Sequence, residues 1–173
     1  LWRMVRDFEL PLKSYARIVK AHLAGEKDLT LLSSIAGTVA RGWSSVAFYW
    51  PRSNVNVRRE RNQFLNEILE IYLKGLRSSV SGSDLEKLYF GNYLLLVEAR
   101  GDFQGESKKY LDPLVQWFQK GQVSDKFKLD LDRSWKIVWA LSSLGDHRAG
   151  PMLAEMSARD PSDQGRKNVL GVQ

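Results

Sequence analysis

Cysteine is absent from the 173-residue chain, and histidine occurs only twice. Without a thiol there is no disulfide framework, no cysteine nucleophile and no thiolate-held zinc or iron–sulfur cluster. The same absence fits a reducing compartment, and a cytoplasmic location is expected. His22 and His147 fall short of the His, His and carboxylate set that zinc hydrolases bring together, and neither belongs to an H-E-x-x-H pair. No cofactor is therefore expected in this chain. Long apolar runs are missing too: none approaches the ~20 residues that span a bilayer. Leu1-Trp2-Arg3-Met4 opens directly into a charged amphipathic pattern rather than a signal peptide. No membrane partner is expected.

Other catalytic signatures are equally scarce. There is no G-x-S-x-G elbow to expose a serine nucleophile, and Gly37 and Gly42 are too sparse for a phosphate loop. Glu67 and Glu70 stand three apart on one helix face, a spacing that suits solvent-facing carboxylates better than an acid–base pair. No catalytic constellation emerges.

What the sequence does have is a sustained apolar spacing of three to four residues. Leu12, Tyr15, Val19 and Leu23 form one stripe, with Pro11 placed to begin the helix and Gly25 to end it. Asp28 precedes a second helix carrying Leu32, Ile35, Ala36 and Val39. Trp43 to Trp50 reads as a short, ambiguous helical run. The clearest helix spans about Val57 to Leu76, with Phe64, Leu65, Ile68, Leu69, Tyr72, Leu73 and Leu76 on its apolar face. Arg61, Glu67, Glu70, Lys74 and Arg77 are expected on the exposed face. Ser83-Asp84-Leu85-Glu86 has the form of a capping box. Ser107 to Lys120 repeats the scheme before Gly121. Asp132 is placed to cap the next helix, in which Trp135 and Trp139 read as core, as does Trp117 in the preceding one. Segments near Ala149–Arg159 and Asp163–Val172 follow. The expectation is one all-α domain over 1–173, with about eight or nine helices in antiparallel pairs, arranged as a HEAT-like α-solenoid.

The net charge of +6 is concentrated early, since residues 1–60 hold 10 Lys and Arg against 5 Asp and Glu. Its densest run is Arg58, Arg59 and Arg61. Tyr49 and Trp50, with Arg52, Arg58 and Arg59, interleave aromatic and cationic groups that could hold a peptide carboxylate or stack a base. These five are the candidate substrate contacts. The plain alternative is a packed aromatic beside solvated arginines.

Three stretches resemble a known family. LWRMVRDFEL at the start, LDLDRSWKIVWALSSLGD in the second half and ARDPSDQGRKNVLGVQ at the end resemble the C-terminal helical domain of aminopeptidase N-type zinc metallopeptidases. The likeness is strongest to the bacterial members, whose C-terminal region is of the endoplasmic-reticulum-aminopeptidase-like type. The stretches cover about a quarter of the chain, in the expected order. Arg133-Ser134-Trp135 departs from the adjacent Arg-Trp of the family pattern. In such peptidases the zinc site and the loop holding the substrate amino terminus lie in an upstream domain. The helical domain forms a bowl over that site and limits access to it.

The resemblance implies that this chain is a non-catalytic piece of a larger peptidase, with zinc confined to the parent's catalytic domain. Its partners would be that upstream domain and peptide substrates, with nucleic acid not expected. The interrupted apolar stripes at Leu1–Val5 and Val169–Leu170 suggest a segment cut from a longer helical array. An alternative from another class is a free-standing helical-repeat module that binds nucleic acid or an acidic protein.

Overall fold

The computed structural model describes residues 1–101, 103 and 107–172. The chain divides into two compact units, Leu1–Arg100 and Gly101–Gln173. The fold is all-α and built of helix pairs, with ten helices and one small hairpin among the described residues.

The first unit contains α1 (Trp2–Arg6), α2 (Leu12–Leu23), α3 (Leu29–Ala40), α4 (Val46–Tyr49), α5 (Val55–Ser78) and α6 (Asp84–Arg100). Helix α2 begins after Pro11, and Asp28 caps α3 by accepting from the Leu31 N–H at 2.8 Å. Helix α5 is the long central element, and the whole apolar stripe from Phe64 to Leu76 is buried. Fully burying each such side chain is worth about 1.5–3 kcal/mol. Its partner across a short turn is α6, which also packs on α3 and is buried on most of its circumference. The capping box at the start of α6 is present: Ser83 Oγ accepts from the Glu86 N–H at 3.2 Å. The reciprocal arm is displaced by one residue, because Glu86 accepts from the Gly82 N–H at 2.6 Å.

Close approach of α5 and α6 depends on Gly75. A Cβ there would lie 2.4 Å from the ring of Tyr89. Tyr89 stands edge-on to Tyr72 at 5.6 Å, and the Tyr72 hydroxyl donates to the Leu32 carbonyl at 2.7 Å. Burial raises the Tyr72 phenol, keeping that donor protonated. One polar bond thus ties α5 to α3 inside an apolar layer.

The second unit contains α7 (Ser107–Lys120), β1 (Gln122–Ser124), β2 (Phe127–Lys128), α8 (Leu131–Ser143), α9 (Ala149–Arg159) and α10 (Asp163–Val172). The hairpin was not expected; strands of two and three residues are too short to show an alternation. The N-cap of α8 is Asp130, not Asp132: Asp130 accepts from the Arg133 N–H at 2.8 Å while Asp132 occupies the first turn. Trp135 is core, but Trp139 is 39% exposed and Trp117 is half-buried. The Trp139 ring lies against α10, where a Cβ on Gly171 would meet it at 2.5 Å. Trp43 is 89% exposed and outside any helix, since the run from Trp43 folds as a turn before the single turn of α4.

Candidate functional site

The five aromatic and cationic candidates lie at α4 and the start of α5, and they do not share one environment. Trp50 is 5% exposed and stacks on Phe64 at 5.5 Å, so its ring is core and cannot serve as an open wall. Tyr49 is partly exposed and stands edge-on to Trp2 at 5.7 Å. Arg52 is exposed, with its guanidinium 5.6 Å from the Phe48 ring centroid. Arg58 and Arg59 occupy the first turns of α5, which Asn54 caps by accepting from the Val57 N–H at 3.0 Å. Both are exposed and have no ion-pair partner among the described residues. Tyr49, Arg52, Arg58 and Arg59 remain available to a ligand; Trp50 does not.

Arg61, the third member of the basic run, corrects the expectation of an exposed face. It is buried, at 6% exposure. Its Nε donates to the Ala47 carbonyl at 2.7 Å, Nη2 to the Ala99 carbonyl at 2.7 Å and Nη1 to the Arg100 carbonyl at 3.3 Å. Ala99 and Arg100 end α6, so Arg61 satisfies terminal carbonyls that no helical N–H can reach. Burial, then the charges of Arg52 and Arg100, pull its pKa down to about 10. Arg61 precedes Phe64 by three residues and Leu65 by four, which places it on the buried stripe. The spacing carried that signal.

A second feature was not anticipated from the sequence. A cleft of about 480 Å³ opens in the first unit between α1, α3 and the turn that follows α3. Arg6 from α1 and Arg41 at the end of α3 line it, with Trp2, Gly37, Thr38 and Ser45. Trp2 is held in place by its indole N–H, which donates to the Ser44 carbonyl at 3.0 Å, and by Tyr15 at 5.2 Å. Burial pushes the Tyr15 phenol up to about 12, against the opposing effect of a hydrogen bond with Thr38. Ser45 stands at the N-cap of α4, yet its side chain makes no capping bond. It is 1% exposed and its Oγ has no hydrogen-bond partner. No carboxylate lines the cleft among the described residues.

His22 is exposed on α2, the His147 side chain is 92% exposed, and no group of three or more His, Asp or Glu among the described residues could hold an ion. Among the described residues, no helix is long and apolar enough to cross a membrane. No family model, no curated protein and no solved structure matches the chain.

Proposed function

We propose that the chain is a non-catalytic, HEAT-like segment of the C-terminal domain of an aminopeptidase N-like zinc peptidase acting in the cytoplasm. The carrying observation is that two of the three family-like stretches lock together. Trp135, in LDLDRSWKIVWALSSLGD, donates its indole N–H to Asp160, in ARDPSDQGRKNVLGVQ, at 2.8 Å. Trp135 and Asp160 thus join two of the family-like stretches, which supports reading those stretches as one inherited unit.

In this reading zinc and its bound-water nucleophile belong to the upstream catalytic domain. The described residues here offer no ligand set for the ion. The segment would cover the active site and limit which peptides enter. Tyr49, Arg52, Arg58 and Arg59 are the candidate contacts for the distal part of a peptide, with exposed guanidiniums suited to a terminal carboxylate.

The test begins with the coding sequence upstream of these residues. An H-E-x-x-H pair in the same frame is expected, and the longer polypeptide should hydrolyse aminoacyl-arylamides with about one zinc per chain. The 173-residue chain by itself should hydrolyse none. An upstream frame without that pair would sink the proposal. So would tight, salt-dependent binding of the isolated chain to DNA or RNA, which would favour the free-standing module.

A further inference from the structure

We propose that the cleft between α1 and α3 is a binding site for a phosphate group, carried free or as the ester of a small molecule. This inference is independent of the peptidase reading, because it rests only on the first unit. Two guanidiniums, Arg6 and Arg41, line the cleft, and no carboxylate among the described residues neutralises them. Neither side chain has an ion-pair or hydrogen-bond partner among those residues. A planar guanidinium presents paired donors that match phosphate oxygens, and two of them balance a dianion better than a carboxylate's single charge.

Ser45 supplies the independent observation. A hydroxyl that is buried and unpaired is costly, and at an N-cap it would ordinarily accept from the following backbone. Here that bond is not made and the Oγ is left over. Ser45 lines the same cleft as the two arginines, but its Oγ lies under the cleft wall with almost no accessible surface. An oxyanion therefore gives this hydroxyl an acceptor only by drawing it out of the wall. Volume points to more than a bare ion. At about 480 Å³ the cleft falls within the ~300–1,000 Å³ of small-molecule sites. Gly37 leaves the cleft open at α3, since a Cβ there would meet nothing within 4 Å.

The experiment is calorimetric titration of the 173-residue chain with inorganic phosphate at low, constant ionic strength, with acetate and glycerol phosphate in parallel. Saturable phosphate binding with Kd on the order of 1 mM is expected for two largely exposed guanidiniums. Arg41→Gln and Arg6→Gln should each weaken it about tenfold, the loss that follows from removing one charge-assisted pair. Gly37→Met should block it, and the open space at Gly37 makes folding of that variant secure should an arginine variant fail to fold. Ser45→Ala is the sharpest arm. It should raise the melting temperature of the ligand-free chain while weakening phosphate binding several-fold. Tighter binding of glycerol phosphate identifies an ester as the source, equal binding identifies free phosphate, and either supports the site. The proposal is overturned if phosphate gives no saturable heat, if acetate binds as well, or if all four variants bind like the parent.

Discussion

The indole Nε1 of Trp135 donates to the carboxylate of Asp160 at 2.8 Å, joining the middle of α8 to the turn that leads into α10. Both residues are nearly buried, at 3% and 7% exposure. Asp160 also accepts from the Ser162 hydroxyl at 2.5 Å, and Ser162 in turn accepts from the Gly165 N–H at 3.0 Å. One carboxylate therefore organises the end of α9, the intervening turn and the first turn of α10. Bonds from Ser162 and then Trp135 hold its pKa below the ordinary carboxylate range.

Gly165 is the steric partner of that arrangement. A Cβ at this position would lie 2.1 Å from the Asp160 carbonyl oxygen, a backbone atom that cannot swing aside. Gly165→Ala is expected to destabilise the chain by about 1–3 kcal/mol, as overpacking does elsewhere. The exposed change Lys167→Ala, on the same helix, should leave urea unfolding nearly unchanged. A neutral Gly165→Ala would show that α10 tolerates displacement from Asp160.

Arg61 gives a second stability prediction. Its guanidinium satisfies the Ala47, Ala99 and Arg100 carbonyls at the junction of α4, α5 and α6. Arg61→Met preserves much of the apolar stem but leaves buried carbonyls without a donor. A loss of about 1–3 kcal/mol is expected, since buried carbonyl acceptors are left without their donor. Arg61→Lys should recover little, because a single ammonium cannot reproduce the fork across three carbonyls. Equal stability of the lysine variant would mean that only the charge matters there.

Much of the fold was legible because spacing and caps agreed. The sequence reading and the structure coincide for α7, α9 and α10, where a stripe is bounded by Gly121, by Asp160-Pro161-Ser162 or by a capping position. Asp130 and Asp132 could not be separated from pattern alone, as each is an acid one residue from Leu131. Arg61 shows the opposite case: its spacing declared it buried, while its charge suggested exposure. Trp139 illustrates why composition misleads, since its large ring covers Gly171 yet keeps one edge in water. The cleft was not legible at all. Its lining is drawn from Trp2 through Ser45 across three elements, and small hydroxyls carry no periodic signal.

The second unit should show an acid limb governed partly by Asp146. Arg148 donates to it from Nε at 2.8 Å and from Nη2 at 2.7 Å, and also pairs with Asp112. Hydrogen bonding from Arg148, outweighing burial, lowers the Asp146 pKa below its ordinary value. A carboxylate depressed in the folded state stabilises the fold above its unfolded pKa of ~3.9 and loses that contribution as pH falls through the folded value. Stability should therefore be flat near neutrality and fall below about pH 4. Asp146→Asn should cost stability at pH 7, with a shallower acid limb in chemical denaturation. Arg148→Ala should cost about 1–2 kcal/mol at pH 7, reduced from the buried case because its side chain is 27% exposed. An acid limb identical in parent and Asp146→Asn would assign it to other carboxylates.

The peptidase reading makes its own prediction at the start of α5. Arg58 and Arg59 are exposed and have no partner among the described residues, so replacing either should leave folding intact. Trp50 is excluded from the same experiment, because its stacking on Phe64 makes any loss there a packing effect. In the complete peptidase, a guanidinium that receives the far carboxylate of a long peptide would act on binding and not on bond cleavage. Arg58→Ala or Arg59→Ala should then raise KM about tenfold for long peptides, equivalent to ~1.4 kcal/mol, with kcat unchanged. Aminoacyl-arylamides end at the chromophore and cannot reach so distant a group, so their kinetics should be the same in parent and variant. Blocking the peptide's carboxylate as an amide should erase the difference between parent and variant, because the charged partner is then gone. Equal losses on long and short substrates would point to disturbed domain packing and remove these arginines from the substrate path.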